Sequence, residues 1–244
     1  MADYQAELAS QMTDAVIASR VARAKSIYAS QVGRWIDKYR GGFPAGYAAA
    51  AVQWESDGIG TTVGDPTLGE YGYLQVTAEF PTTIGLPSDA RYDPETNIFL
   101  GLMEYQLESI RQYTYQPLII LGTEDAWKIA RLAFAIGPTG TANLIANAQP
   151  TVQGHVFDAV LDYVDNQGLY DQIWYRVHTT QLVWDIGAQV LPFNSYGQPQ
   201  MVPNPPAGAY TIPASLVPFF AKPIPPLVIG LALAVGALAW WSYA

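Results

Sequence analysis

The chain contains no cysteine and only two histidines, His155 and His178. Without cysteine there is no disulfide and no thiolate-bound metal. A zinc site would need carboxylate ligands at unusual spacing, and neither histidine lies near a nucleophile motif suited to a Ser-His-Asp triad. We therefore predict no metal and no cofactor, and we expect each histidine to pack or cap locally.

Basic residues are also scarce, because 12 Lys and Arg stand against 21 Asp and Glu and give a formal net charge of −9. Nucleic-acid binding needs clustered cations for phosphate contacts, so we expect no nucleic-acid partner. Six of the twelve basic residues nevertheless lie between Arg20 and Arg40. This stretch is either the solvated face of a helix or a contact to an anionic surface, and we favour the solvated face.

Long apolar runs are confined to the C-terminal end. The first seven residues lack the apolar core of a signal peptide, so we expect no export by a cleaved signal. Residues 227–244 form a helix of about 27 Å if helical throughout, close to the roughly 30 Å of a bilayer core. Lys222 flanks this run on one side, and Trp240, Trp241 and Tyr243 flank it on the other. The pattern predicts one membrane span at residues 227–244, with a buried core helix as the alternative.

Proline divides the chain, since ten of the eighteen prolines fall within residues 192–226. This composition predicts an extended, largely polyproline-II arm that reaches on the order of 100 Å. Apolar periodicity predicts a mainly α fold before the arm, with residues 58–70 as a loop or small hairpin. The predicted helices cover residues 4–39 as one helix or two joined helices, 45–54, 77–84, 94–112, 124–136, 140–147, 156–163 and 170–190.

A glutamate at a helix end is the first candidate for chemistry. Glu55 follows an alanine-rich apolar helix, where a desolvated carboxyl can stay protonated near neutrality and act as an acid. Ser56 is placed to orient that carboxyl by a hydrogen bond. Gly69, Gly72 and the aromatic residues of this stretch indicate a backbone that a ligand approaches closely, and Gln75 offers a donor and an acceptor to a sugar amide.

These motifs resemble those of the soluble lytic transglycosylase family over about residues 44–145. The family's Glu-Ser pair matches Glu55-Ser56, and its Gly-Leu-Met-Gln motif matches residues 72–75. Its Asp-Pro-x-x-Asn-Ile-x-x-Gly element is matched at every named position by residues 93–101. Its Ala-Tyr-Asn-Ala-Gly-Pro motif aligns with residues 133–138. The matched residues after Ser56 include Gly72, Tyr73, Gln75, Asp93, Pro94, Asn97, Gly101, Phe134 and Gly137.

The resemblance implies a lysozyme-like domain at residues 44–150, preceded by a helical region at 1–43 and followed by a helical extension at 151–191. It implies cleavage of the β-1,4 bond between N-acetylmuramic acid and N-acetylglucosamine in peptidoglycan glycan strands, with Glu55 as the catalytic acid and base and a 1,6-anhydro product. Implied substrate contacts are Ser56, Glu70, Gly72, Tyr73, Gln75 and Phe134. Implied structural residues are Asp93, Pro94, Asn97, Gly101 and Gly137.

The sequence departs from the family's motifs, because Tyr73 replaces a leucine, Phe134 replaces a tyrosine and Ala135 replaces an asparagine. Two alternatives follow. One is a structural virion or scaffold protein that keeps a lysozyme-like fold with little or no activity. The other is a hydrolytic muramidase, if Glu70 or Asp57 faces Glu55 as a second carboxylate; otherwise Glu70 is an exposed loop charge.

The arm and the apolar tail indicate a setting for this chemistry. We expect a virion-associated enzyme of a phage that opens the cell wall during entry, held in a membrane or an ejection apparatus with other virion proteins. The alternative setting is a tail-anchored wall-remodelling enzyme of the bacterial envelope.

Overall fold

The computed structural model of the protein describes residues 3–115, 123–151 and 155–191. The described chain is mainly helical, which confirms the predicted fold class. Its helices, in chain order, are α1 (Tyr4–Gln11), α2 (Asp14–Tyr28), α3 (Gln31–Tyr39), α4 (Ala45–Ser56), α5 (Phe80–Thr83), a 3₁₀ helix (Ser88–Tyr92), α6 (Pro94–Tyr115), α7 (Thr123–Ile136), α8 (Pro138–Ala148), α9 (Val156–Gln167) and α10 (Gln172–Val190).

The N-terminal region contains three helices where the sequence predicted one or two. Thr13 caps α2 by accepting a hydrogen bond from the backbone N–H of Val16. Ser30 caps α3 by accepting one from the backbone N–H of Val32. A capping hydroxyl satisfies the free N–H groups of a new helix, so the chain can break where the apolar pattern continues.

Helix α4 is the central element of the fold, since every residue from Ala45 to Gln53 is buried. Small side chains let neighbouring backbones approach it closely. A Cβ on Gly46 would lie 2.4 Å from the carbonyl oxygen of Gly187 in α10. A helix that is apolar on all sides is stable only inside a protein, so packing fixes its direction and the position of its C-terminal turn.

A second apolar cluster joins α7, α8, α9 and α10 with Leu8 of α1. Asp125 in α7 ties this cluster together, because its carboxylate accepts hydrogen bonds from the backbone N–H groups of Val156 and Phe157 at 3.0 and 3.2 Å. These contacts supply the first turn of α9 with a cap from another helix. Burial raises the pKa of Asp125, against the effect of the two N–H donors.

The two histidines make local contacts, as the sequence predicted. His155 Nδ1 lies 3.1 Å from Asp158 in the first turn of α9. His178 Nε2 lies 2.8 Å from Asp165, which joins α10 to α9. Both histidines are therefore accounted for by structural partners within the helical extension.

The basic stretch of α2 and α3 is mostly exposed and mostly paired. Arg23 donates to the carbonyl oxygen of Asp57, and Lys38 forms an ion pair with Glu95 at 2.8 Å. Arg40 pairs with Asp37 at 3.2 Å. This geometry agrees with the solvated helix face that we favoured.

Two predicted segments lie outside the described residues, namely the proline-rich arm at 192–226 and the membrane span at 227–244. Among the helices in the described ranges, none has the length and apolarity needed to cross a bilayer.

Candidate active site

Glu55 is the penultimate residue of α4, and its side chain is 18% exposed. Its oxygen Oε1 lies 2.8 Å from Nη2 of Arg131 in α7. Within the described part of the chain, no residue hydrogen-bonds its other oxygen, Oε2. The carboxyl group is therefore mostly shielded from solvent, held on one oxygen and free on the other.

Arg131 is a buried cation with two partners. Its side chain is only 4% exposed, and Nη1 donates to the hydroxyl of Tyr105 in α6 at 2.8 Å. Burial opposes the charge of Arg131, but Tyr105 and Glu55 outweigh burial and raise the pKa of Arg131 above its usual range. Burial also raises the pKa values of Tyr105 and Tyr47. At neutral pH the site therefore combines one cation with two neutral phenols.

Sequence reasoning missed Arg131, Tyr105 and Tyr47. One signal was available, because Arg131 is a charged residue in the apolar run from Ile129 to Ile136. A charge on a buried helix face needs a partner of opposite sign, and Glu55 was already a candidate for burial. Nothing in the spacing of the sequence named that partner.

The segment after α4 folds into a small loop closed by isolated β-bridges from Tyr71 to Val63 and to Val76. This is the loop or small hairpin that the sequence predicted. Thr62 connects it to α4, because its hydroxyl donates to the carbonyl oxygen of Ser56 at 3.4 Å. Thr62 also accepts from Nε2 of Gln75 at 3.3 Å. These contacts hold the loop beside the end of α4 that carries Glu55.

Gln75 differs from its expected role. It is buried at 6% exposure, and its Nε2 donates to the carbonyl oxygens of Gly72 and Thr62. We expected this amide to contact a sugar; in the structure its donors bond to the loop backbone. A tight loop leaves carbonyl groups that need donors, and a buried amide supplies two.

Asn97 attaches the loop to α6. Its Nδ2 donates to the carbonyl oxygens of Tyr71 and Arg91 at 2.8 and 3.0 Å, and its Oδ1 accepts from the backbone N–H of Leu74 at 3.1 Å. Gly72 has a φ of 85°, and a Cβ there would lie 2.4 Å from Asn97 Nδ2. A side chain at position 72 would collide with Asn97, so glycine is needed there for Asn97 to bind the loop.

Three other residues of the 93–101 element, together with Gly137, make contacts within the backbone framework near the site. Asp93 accepts from the backbone N–H of Thr96 at 2.8 Å, and Pro94 is the first residue of α6. A Cβ on Gly101 would lie 2.4 Å from Cβ of Leu74, so Gly101 lets the loop pack on α6. Gly137, with a φ of 78°, precedes α8. All four residues shape the backbone around the site.

Ser56 and Glu70 also differ from their expected roles. The Ser56 hydroxyl donates to the carbonyl oxygen of Val52 in its own helix at 3.0 Å, because a serine near a helix C-terminus can bond back by four residues. Glu70 Oε2 accepts from the backbone N–H of Asp65 at 2.8 Å. Asp57 is exposed and lies 3.5 Å from Arg23. None of the described ion pairs or hydrogen bonds joins Glu70 or Asp57 to Glu55.

Two aromatic side chains complete the surroundings of the site. Tyr73 is partly buried, and its ring lies against Gly60, where a Cβ would be 2.7 Å from the ring. The ring of Phe134 lies 4.6 Å from that of Tyr105, one helical turn beyond Arg131. An aromatic face of this kind can stack on a sugar, and Tyr73 adds a hydroxyl.

No metal centre is evident, since the described residues contain no group of three or more His, Asp or Glu side chains that could hold an ion. Comparisons with known proteins add no assignment. No protein-family model matches the chain, and neither the curated proteins nor the solved structures give a match.

Proposed function

We propose that the protein is a peptidoglycan lytic transglycosylase, with Glu55 as its catalytic acid and base. One observation carries the proposal: a mostly shielded carboxyl group ends the buried helix α4, beside a loop that Asn97 fastens to α6. Residues from three of the motifs behind the family resemblance lie in this region. The fourth motif contains Phe134, whose ring contacts the ring of Tyr105.

The chemical environment of Glu55 favours a one-carboxylate reaction. Ordinary glycosidases place a second carboxylate across the sugar, either as nucleophile or as base for water. Here the contacts described for Glu70 and Asp57 are with a backbone N–H and with Arg23. The described partner of Glu55 is the cation Arg131, not a second carboxylate. We therefore assign the nucleophile of the second step to the substrate itself.

The proposed reaction starts from protonated Glu55, which gives its proton to the glycosidic oxygen as the bond from C1 to that oxygen breaks. The N-acetyl group of the muramic acid stabilises the positive charge at C1. The Glu55 carboxylate then accepts the proton of the 6-hydroxyl while O6 attacks C1 and closes the anhydro ring. No water is consumed, and a nucleophile tethered in the same sugar has a high effective concentration.

Digestion of purified sacculi tests the proposal. We expect wild type to release anhydro-muropeptides, identified by mass spectrometry, and Glu55→Gln to release none because an amide cannot supply the proton. Glu79→Gln is the matched control, since Glu79 is an exposed carboxylate. Reducing-end products in place of anhydro products would contradict the proposal and indicate a hydrolytic muramidase.

A structural role is the second candidate function, and the ion pair of Glu55 with Arg131 favours it. A salt bridge is strongest when the carboxyl is ionised, whereas proton donation needs the protonated form. If the role is structural, no variant should release soluble products from sacculi. Glu55→Gln should then support assembly as well as wild type.

The proposed setting is a phage virion, with the proline-rich arm at 192–226 linking the helical domain to a membrane segment at 227–244. This setting draws on the composition of those segments. We expect the chain in purified virions and its extraction by detergent. Recovery only from the bacterial envelope would favour a tail-anchored wall-remodelling enzyme.

A further inference from the structure

We propose that Arg131 is the positioning residue of Glu55, because it holds oxygen Oε1 and leaves Oε2 for the substrate. This inference rests on the proposed function for its kinetic consequences. Its physical core, the coupling of Arg131 to Glu55, can be measured without any activity.

The geometry is that of a rigid support. Arg131 holds Glu55 with Nη2 and Tyr105 with Nη1, both at 2.8 Å. A guanidinium is planar, so two partners on its two terminal nitrogens fix its orientation. Glu55 Oε1 is thereby tied to α6 through α7, although the glutamate itself belongs to α4.

Arg131 has little other purpose in the described fold. Its Nε has no hydrogen-bond partner among the described residues, and neither does the buried hydroxyl of Tyr47. A buried ion pair seldom stabilises a protein more than well-packed apolar residues of the same size. A polar arrangement that leaves buried donors unmatched therefore points to a role in the site.

The charged and titratable groups around this support come from three helices. α7 contributes Arg131, α6 contributes Tyr105 and Glu104, and α4 contributes Tyr47 beside Glu55. Glu55 is the acid that bonds directly to the guanidinium in the described residues. Neutralising Glu55 would leave a buried cation without its anion, which is costly.

The kinetic consequence follows from this geometry. A carboxyl group that loses its support on Oε1 adopts the productive orientation less often. Removing Arg131 should therefore lower kcat and leave KM near that of wild type.

Three variants separate charge from orientation. Arg131→Met removes the charge and keeps the length, so it should lower kcat by about tenfold or more, because Oε1 loses its support. Arg131→Lys should recover part of that loss, because an ammonium can bond to Oε1 but lacks the planar fork. Arg34→Met is the matched control, since Arg34 is exposed on α3 and bonds to Gln31; it should change neither kcat nor KM.

A second measurement does not depend on activity. Urea denaturation of Arg131→Met, Glu55→Gln and the double variant gives the coupling of the two side chains in a double-mutant cycle. Glu55→Gln should destabilise the wild-type background more than the Arg131→Met background, whereas its effect in Arg34→Met should equal that in wild type. Additive effects of Arg131→Met and Glu55→Gln overturn the inference.

The outcomes distinguish this inference from the proposed function. An inactive wild type in which Glu55 and Arg131 are coupled defeats the proposed function but keeps the coupling. An active wild type with an unchanged kcat in Arg131→Met defeats the inference alone. If Arg131→Met does not fold, Tyr105→Phe takes its place: it keeps the cation and should lower kcat, and an unchanged kcat overturns the positioning role.

Discussion

The two sides of the candidate site are held in place by different kinds of interaction. On the loop side, residues 60–78 and the start of α6 are joined by neutral hydrogen bonds between side-chain amides and backbone groups, with Asn97 and Gln75 at the centre. On the α7 side, one charged contact from Arg131 reaches Glu55.

The two sides therefore have different roles: the loop side fixes the backbone, and the α7 side sets the charge next to Glu55. The amides of the loop side are used internally, so that side sets the backbone beside Glu55 but offers few donors of its own. The α7 side carries the charge that contacts Glu55, and it also carries Phe134, whose ring lies against Tyr105. We therefore expect changes on the loop side to affect folding most and changes on the α7 side to affect rate most.

The largest expected effect on stability comes from Asn97→Ala. Asn97 is 1% exposed, and its loss removes the acceptor of the backbone N–H of Leu74 and one donor each from the carbonyl groups of Tyr71 and Arg91. We expect the free energy of unfolding to fall by about 3 kcal/mol or more. Urea denaturation measures this, with the exposed Asn143→Ala as control. A fall below about 1 kcal/mol would show that the loop side is not held by Asn97.

An intermediate effect, on rate, is expected from Phe134→Tyr. The Phe134 ring contacts Tyr105, whose hydroxyl accepts from Arg131. Under the proposed function, an added hydroxyl beside the site should raise kcat by about tenfold, which corresponds to about 1.4 kcal/mol of transition-state stabilisation. Thermal stability should change little, because Phe134 is only partly buried. Product release from sacculi over time measures the rate, and a lower or unchanged kcat contradicts the prediction.

The smallest effect is expected from Glu95→Gln, which removes an exposed charge pair on the loop side. Lys38 at 2.8 Å and Tyr39 at 2.7 Å lower the pKa of Glu95 below 4.5. A lowered carboxyl pKa stabilises the fold above the unfolded pKa and loses that contribution as the pH falls through the folded value. Tm should drop by no more than about 3 °C at pH 7 and converge with wild type near pH 3. A larger drop would make this pair resemble the buried pair of Glu55 and Arg131.

Several elements were predictable from local chemistry. Asp93 and Pro94 predict the start of α6, because a carboxylate cap and a fixed φ favour the first turn of a helix. The alanine run before Glu55 predicts a buried helix because only a surrounded helix can be apolar on every face. The breaks at Thr13 and Ser30 were harder, since the apolar pattern runs through them and a hydroxyl cap competes with continued helix by only about 1 kcal/mol.

The sequence by itself determined the helical class, the caps of α6 and the presence of a glutamate at the end of a buried helix, because each depends on residues within one or two turns. Only the tertiary structure decided what that glutamate contacts. Arg131 is separated along the sequence by 76 residues from Glu55 and by 26 from Tyr105. The hydroxyl of Ser56 bonds within its own helix. Helix packing determines which distant residues meet. It brings charged groups together that no local sequence pattern pairs.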